Sequence, residues 1–344
     1  MMEDKGKSVE GNKNNITTVE EKLRLCRREL KGYPELISRS FVNVDKSNRE
    51  SADEGRTNNC FKVMQYNILA DALGTGAGNF EKVPKDCLPW SFRKHRIIEQ
   101  ILHLDPDVVC LEEVDHFHDV FQPLFEELDF SGFFFPKKDS PCLRTPDNNG
   151  PDGVAIFYRK SKFSLIEIDS RYLNNTEKQP SNQPVLICML QSKQSEKCVC
   201  FAATHFKAKK GFEELRAVQA KSCLHFIEEF RKKVSPESAV ILCGDFNGAP
   251  SEKFYEILEN HCGKYLQSAY KEANGKELTY TTWKIRQDNE TKHTIDYIWF
   301  SHEQLKVVSF LDLPVEDDVP ESRFPSFSCP SDHLPLCCEF SFKD

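Results

Sequence analysis

Ala239-Val240-Ile241-Leu242-Cys243-Gly244-Asp245-Phe246-Asn247 is an apolar run that stops on a glycine and then presents an acid and an amide. Its first five residues read as a strand buried on both faces. Asp245 and Asn247 lie two apart, so an extended chain turns both side chains to one face. A carboxylate and a carboxamide side by side at a strand's end can hold and orient one water molecule. Ser331-Asp332-His333 adds an imidazole able to meet a phosphoryl oxygen, and Thr294-Ile295-Asp296-Tyr297-Ile298-Trp299-Phe300 carries a further acid. Acid, amide and imidazole together indicate metal-assisted attack of water on a phosphate ester.

Working outward, the same kind of place recurs. Phe61–Asn67 reads as a strand ending on Asn67, and Val108–Leu111 as a buried strand ending on Glu112-Glu113. Cys200–Thr204 runs into His205, Asp296 interrupts the strand Thr294–Phe300, and His333 precedes a last strand at Leu334–Phe342. Six strands delivering Asn67, Glu113, His205, Asp245 with Asn247, Asp296 and His333 to one rim would form a compact metal and phosphate site. Each has a plainer reading alone. Glu113 is equally a solvated strand end, Asp245 and Asn247 are good turn formers, and a lone histidine is more often an ordinary core or surface residue. Asp296 differs, because a charge in an apolar strand is costly without a partner. His333 would serve, with Asp332 as that partner's neighbour or as a second metal-linked acid.

Further strands are expected at Gly153–Tyr158, Phe163–Ile168, Pro184–Leu190, Lys197–Thr204 and Lys306–Phe310. Ser91–Leu104 carries Ile97, Ile98, Ile101 and Leu102 at helical spacing and stops at Asp105-Pro106. Helices are also expected at Asp119–Leu128 and Phe212–Lys233, and a glycine-rich loop at Leu73–Asn79. Strands with helices interspersed indicate a layered α/β or α+β domain with covered sheets. Residues 1–59 are polar and are expected to be a mobile segment, with one short helix at Thr18–Leu30 that either docks on the domain or forms only transiently. Residues 60–344 then form the catalytic domain.

The 344 residues suffice for one large domain and an appendage, and 39% apolar residues is ordinary for a globular chain. A formal net charge of −8 argues against a generic nucleic-acid coat protein but leaves room for a small basic pocket. The 14 cysteines lie scattered in apolar runs, without zinc spacing and with no signal peptide ahead of them. They read as reduced, buried small hydrophobes of a cytoplasmic protein. Glu3, Asp4 and Glu10 disfavour a mitochondrial address. No stretch approaches the ~20 apolar residues of a membrane span, and nothing defines an oligomeric state.

Gln65-Tyr66-Asn67-Ile68-Leu69-Ala70, Leu111-Glu112-Glu113-Val114-Asp115, Thr204-His205-Phe206-Lys207-Ala208, Gly244-Asp245-Phe246-Asn247 and Ser331-Asp332-His333 together resemble the motifs of the endonuclease/exonuclease/phosphatase superfamily. Phe134-Phe135-Pro136-Lys137, Asn148-Asn149-Gly150-Pro151-Asp152-Gly153 and Thr281-Thr282-Trp283-Lys284-Ile285-Arg286 narrow the resemblance to its deadenylase-like branch. It covers Phe61 to the C-terminus. It implies a four-layer α/β sandwich, two mixed β-sheets packed face to face with helices outside. It also implies a Mg²⁺-dependent phosphatase that removes the 2′-phosphate of NADP(H) to give NAD(H).

Carried over residue by residue, the resemblance makes Glu113 the main Mg²⁺ ligand with Asn67 beside it. Asp245 orients and deprotonates water, and Asn247 holds that water or a phosphate oxygen. His205 and His333 donate to equatorial oxygens, and Asp296 fixes His333. Asn182 becomes a phosphate contact. Lys137, Lys207, Lys209 and Arg286 would face the pyrophosphate and ribose side, with Lys207 on the strand face of His205. Other members carry Arg where this chain has Lys209, a point charge rather than a fork. The alternative is a poly(A)-specific 3′-exonuclease acting on mRNA tails, for which neither an upstream leucine-rich segment nor a basic RNA track is visible. A non-catalytic binding protein on the same fold would have lost at least one of the acids or His333. Inositol phosphatases, sphingomyelinases and abasic-site nucleases fit the Thr281–Arg286 and Asn148–Gly153 stretches poorly.

Overall fold

The computed structural model describes residues 10–44, 59–74, 80–176, 179–260, 266–286 and 289–343. One sheet has seven strands in the order β1 (Phe41–Asn43), β14 (Leu305–Leu311), β15 (Leu336–Phe342), β2 (Cys60–Asn67), β3 (Val108–Val114), β5 (Gly153–Arg159) and β4 (Phe130–Pro136). The other has six: β10 (Leu266–Ser268), β13 (Asp296–Ser301), β9 (Ala239–Asp245), β8 (Cys198–His205), β7 (Gln179–Ser192) and β6 (Phe163–Thr176). A hairpin of β11 (Thr282–Arg286) and β12 (Asn289–His293) stands apart. The helices are α1 (Glu10–Glu29), α2 (Asp71–Gly74), α3 (Trp90–Leu104), α4 (Gln122–Glu127), α5 (Glu213–Val234), α6 (Lys253–Glu259) and α7 (Ala269–Asn274).

Period-two alternation builds the layers. Phe61 and Val63 of β2, Val108 and Cys110 of β3, Val199, Phe201 and Ala203 of β8, and Ile241 and Cys243 of β9 meet between the sheets. Their neighbours face outward: Met64, Tyr66, Val109 and Leu111 pack on Ile97 and Ile101 of α3. Cys200, Ala202, Val240 and Leu242 pack on Cys223, Leu224, Ile227 and Phe230 of α5. Burial on both faces explains why these strands read as continuous apolar runs. Each Val, Leu, Ile, Phe or Met side chain so removed from water contributes about 1.5–3 kcal/mol. The result is the expected four-layer α/β sandwich.

Two strand pairs, β2 with β3 and β8 with β9, are parallel, and α3 and α5 carry the chain across. The helix expected from Ser91 ends as its sequence requires, with Asp105 in the left-handed region at φ 46 just before Pro106. Among the described residues no helix is long and apolar enough to cross a membrane, and the cysteines are free, buried except for Cys60 and Cys198.

Several expectations are decided or corrected. Of the two alternatives for the segment before the domain, the structure shows the docked one: the described part of residues 1–59 packs on the domain. Helix α1 extends back to Glu10, Cys26 and Leu30 are buried with Phe92 and Ile98, and β1 pairs with β14. The expected mobility of the rest, residues 1–9 and 45–58, lies outside the described residues, as do residues 75–79 of the glycine-rich loop. Asp296 opens β13 instead of interrupting a strand from Thr294, because the Thr294 hydroxyl turns back to bond the Leu278 carbonyl. The helix expected from Asp119 begins as a π turn at Phe117–Phe121 before α4. β1, β4, β10, β11, β12, α2, α6 and α7 were not anticipated. They are short or interrupted by glycine and proline, and tertiary contacts hold them.

Candidate active site

The inner-facing phase of each strand turns from apolar to polar at one end of the sandwich. In β2, Phe61 and Val63 are followed in phase by Gln65 and Asn67; in β9, Ile241 and Cys243 by Asp245. His205 ends β8 in the same phase and Asp296 begins β13, with Asp245 as the register partner of both. Gly244 permits this approach, since a Cβ there would meet the Thr204 carbonyl oxygen at 2.4 Å. Glu113 is out of phase. It reaches the site because the β3–β5 register slips between Leu111 and Val114 and Glu113 takes φ 56. A bulge that re-aims one side chain is the physical signature of such a position.

Asn67 joins the two central acids. Its Nδ2 donates to Glu113 Oε1 at 3.2 Å and to Asp245 Oδ2 at 3.0 Å. Its Oδ1 accepts from the Leu69 N–H at 3.0 Å, which fixes the amide. The second Glu113 oxygen accepts from the Ala70 N–H at 3.2 Å. Asp245 Oδ1 accepts from the Asn247 N–H at 2.8 Å, and Asn247 Nδ2 donates to the Phe206 carbonyl at 3.2 Å. Two imidazoles face Asp245 Oδ2, His205 Nε2 at 3.6 Å and His333 Nε2 at 3.8 Å.

Asp296 and His333 form a buried pair, with Nδ1 at 2.9 Å from Oδ2. Asp296 also accepts from Thr281 Oγ1 at 2.5 Å and Gln65 Nε2 at 3.2 Å, so its charge is met from three sides. Burial alone would depress His333, but Asp296, Asp332 and Asp245 raise it to about 9. Asp245 is pushed up to about 7 by burial and then by Asp296, against the pull of His333, Asn247 and Asn67. His205 is held well below the usual histidine range by burial, Lys137 and His333. Near neutral pH the site therefore pairs a charged His333 with a neutral His205, and Asp245 titrates between them.

Asp332 stands beside His333, with Oδ1 3.9 Å from its Nε2, and is held by two cations as well. Lys284 Nζ lies 2.5 Å and Arg286 Nη2 3.3 Å from its Oδ2. Burial opposes its charge, but Lys284, His333 and Arg286 hold its carboxyl well below the usual range.

The expected substrate contacts divide. Lys137 is buried on Asp152 at 2.6 Å, and Asp152 and Glu113 raise its pKa despite burial. Its charge is felt by His205 and Glu113. Lys207 does not share a strand face with His205, because β8 ends at His205; its ammonium sits 5.0 Å over the Phe212 ring. Lys209 is exposed at φ 83. Arg286 is exposed, tied to Asp332 and stacked 5.3 Å over Phe80. Asn182 is corrected: its Oδ1 and Nδ2 engage the Asp139 backbone N–H and carbonyl, each at 2.6 Å, and pin a loop.

Sequence reasoning passed over Thr281, Gln65 and Lys284 as site residues, although all three lay inside quoted motifs. Lys284 had a usable signal, since it stands two residues before Arg286 and shares its face of β11. Glu112 was passed over for Glu113. It is fully buried, accepts from Gln65 Nε2 at 2.7 Å, and is raised well above the carboxylate range by burial and Asp296.

A divalent cation fits this chemistry. Glu113 and Asp245 converge on a single amide nitrogen, and both present hard oxygen donors of the kind Mg²⁺ takes. Asp245, Asp296 and His333 also bring donor atoms within 4.8 Å of one another. That second group suits an ion less well, because His333 Nδ1 and both Asp296 oxygens already bond each other, Thr281 and Gln65.

The class of protein follows from fold, site and sequence together. Residues 64–333 match the Endonuclease/Exonuclease/phosphatase family, and the chain belongs to it. Within that family its resemblance is to the nocturnins. It is 42% identical over 328 residues to nocturnin of Homo sapiens, covering 94% of this chain and 74% of that protein. So wide a match reaches into residues 1–59, which the motif-based resemblance had left outside. The solved human nocturnin catalytic domain with bound sulfate anion superposes with a TM-score of 0.73 at 37% identity, covering 89% of this chain and 97% of that one. The 3′-5′-exoribonuclease subunit Ccr4 of the CCR4-Not complex from Candida albicans is 26% identical, covering 87% of this chain and 43% of that protein.

Proposed function

We propose that the chain is a Mg²⁺-dependent phosphomonoesterase that removes the 2′-phosphate of NADP(H). One observation carries the reading: Glu113 and Asp245 share the Asn67 amide while the His333–Asp296 pair faces the same Asp245 oxygen. Magnesium bound at Glu113 would neutralise phosphoryl charge and ease departure of the ribose oxygen. Asp245, poised at about 7, takes the proton of the attacking water. Asn247 aims Asp245 through its backbone N–H and offers its carboxamide oxygen to that water. His333, protonated below about 9, donates Nε2–H to a phosphoryl oxygen as charge builds. Asp296 holds Nδ1–H and so keeps that donor aimed. His205 contributes one N–H from its neutral ring.

Lys137 adds positive charge beneath the phosphate, and Lys207, Lys209 and Arg286 meet the pyrophosphate and ribose side. A role for residues 60–344 as the catalytic unit belongs to this reading. Similarity to Ccr4 favours a second reading, a poly(A)-specific 3′-exonuclease on mRNA tails, with the same catalytic groups. Phosphate release with Mg²⁺ from NADPH and NADP⁺, measured beside shortening of oligo(A), tests both. Turnover of the dinucleotides is expected. Efficient shortening of oligo(A) with inert dinucleotides would replace the first reading by the second.

A further inference from the structure

One buried side chain ties together the two loops that flank the site. Arg216 of α5 is 2% exposed. Its Nη1 donates to the carbonyls of Lys207 at 3.1 Å and Lys209 at 3.0 Å. Its Nε and Nη2 grip Glu252 at 2.8 Å and 2.9 Å, a bidentate fork. Glu252 in turn accepts from the Ala249 N–H at 3.3 Å, in the loop that continues from Asp245 and Asn247. Gly248 in that loop makes room, since a Cβ there would meet Arg216 Nε at 3.0 Å and Glu252 Oε2 at 2.7 Å. A second α5 residue acts on the same strand exit: Gln219 Oε1 accepts from the Lys207 N–H at 2.9 Å. The segment so held carries two cations, Lys207 half-buried and Lys209 exposed, with Lys209 and Gly211 in the left-handed region at φ 83 and φ 90. The Phe212 ring lies under the Lys207 ammonium, and the backbone bonds to Arg216 and Gln219 set where the segment itself runs.

We infer that the Arg216–Glu252 pair is a positioning device that sets the Lys207–Lys209 cations in register with the Asp245–Asn247 water-holding loop. It thereby selects phosphate substrates that carry a second anionic group beyond the scissile one. The inference rests on the reading above for its choice of substrate. Arg216 is buried and acts through the two backbone carbonyls it holds. Lysine cannot replace it, because one ammonium cannot span a carboxylate and two carbonyls in fixed directions.

The test uses the full chain with Mg²⁺, and compares NADPH with 2′-AMP, which has the 2′-phosphate but no pyrophosphate. R216K is expected to raise the KM for NADPH about tenfold, the worth of one charge-assisted contact. Its kcat should stay within about threefold of wild type and the KM for 2′-AMP within about twofold. E252Q should move the same constants in the same direction by less. In a chain already carrying K207A and K209A, R216K should add nothing to the KM for NADPH. Equal losses of kcat on both substrates, an unchanged KM for NADPH, or a full R216K effect in the K207A/K209A background would each overturn the inference. If R216K fails to fold, E252Q in the two backgrounds decides by the same criterion. Wild type that ignores dinucleotides but shortens oligo(A) overturns the substrate reading alone; the KM rise is then expected on oligo(A).

Discussion

Replacing Asp296 by asparagine isolates the charge from the shape. The new side chain fills the same volume, and its amide oxygen can still accept from Thr281 or Gln65, the two other partners of the carboxylate. What is lost is the charge beside His333 and behind Asp245. Burial depresses His333, and Asp296 is the foremost of the carboxylates that raise it to about 9. At pH 7.5 a group titrating at about 9 is protonated about thirty to one, whereas one at the ordinary value is protonated about one time in ten. Loss of the donor form alone therefore costs about tenfold in kcat/KM. Loss of the group that fixes the imidazole's orientation adds more, and amide replacements of this kind reach roughly 10⁴-fold in hydrolases. The expected decrease for D296N is about 10²- to 10⁴-fold at pH 7.5.

Its pH profile is the sharper readout. Asp245 is raised by burial and by Asp296, so D296N lowers the acid limb while it also lowers the basic limb. The whole bell should move toward acid. Bound Mg²⁺ depresses Asp245 in either protein and leaves the sign of the difference unchanged. The assay is phosphate release from pH 5.5 to 9.5 at saturating Mg²⁺. A basic limb that stays near 9 in D296N, or a kcat/KM within threefold of wild type, would refute the assignment of the pair.

Three further outcomes are expected. Glu113→Gln should reduce kcat/KM by more than about 10³-fold and raise the Mg²⁺ concentration for half activity, with little change in melting temperature; an unchanged metal titration refutes it. Asp245→Asn should stabilise the metal-free chain above pH 7 by about 1–3 kcal/mol in urea unfolding. The sign follows because the folded state holds this proton up to about 7 while the unfolded carboxyl loses it near 3.8, so stability is lost as pH rises through that window. His333 works in the same direction, its contribution complete below 6.5 and lost as pH rises through about 9. Lys284→Met should destabilise by about 2–4 kcal/mol, because it leaves the buried Asp332 carboxylate with Arg286 alone among its Lys and Arg partners; a loss below about 0.5 kcal/mol in urea unfolding refutes the bracing role.

The groups of the candidate site were legible because they continue the core pattern. Asn67, His205 and Asp245 fall in phase with the inner apolar positions, and Asp296 needed a partner that His333 supplies. Glu113 was found through its motif, since alternation alone would have chosen Glu112; the backbone bulge that turns it inward leaves no mark in a period-two count. The outlying substrate contacts were read less well. Lys207 was assigned to a strand that had already ended, and Asn182 to phosphate although its amide closes a loop on Asp139. Partners of this kind depend on long-range contacts, and neither spacing nor composition encodes them. The short strands β1, β10 and β12 escaped for the same reason, being held by neighbours instead of by their own propensity.

The polar rim grows out of the same side-chain rows that fill the space between the sheets, so chemistry and folding share one reading frame. A single-residue deletion inside β2, β8 or β9 would swap Asn67, His205 or Asp245 for a neighbour of opposite facing. It would also invert the row of apolar side chains behind it. Length changes should therefore accumulate in the connecting loops and be absent from these strands, and any lineage that loses activity by such a deletion would lose the folded protein with it.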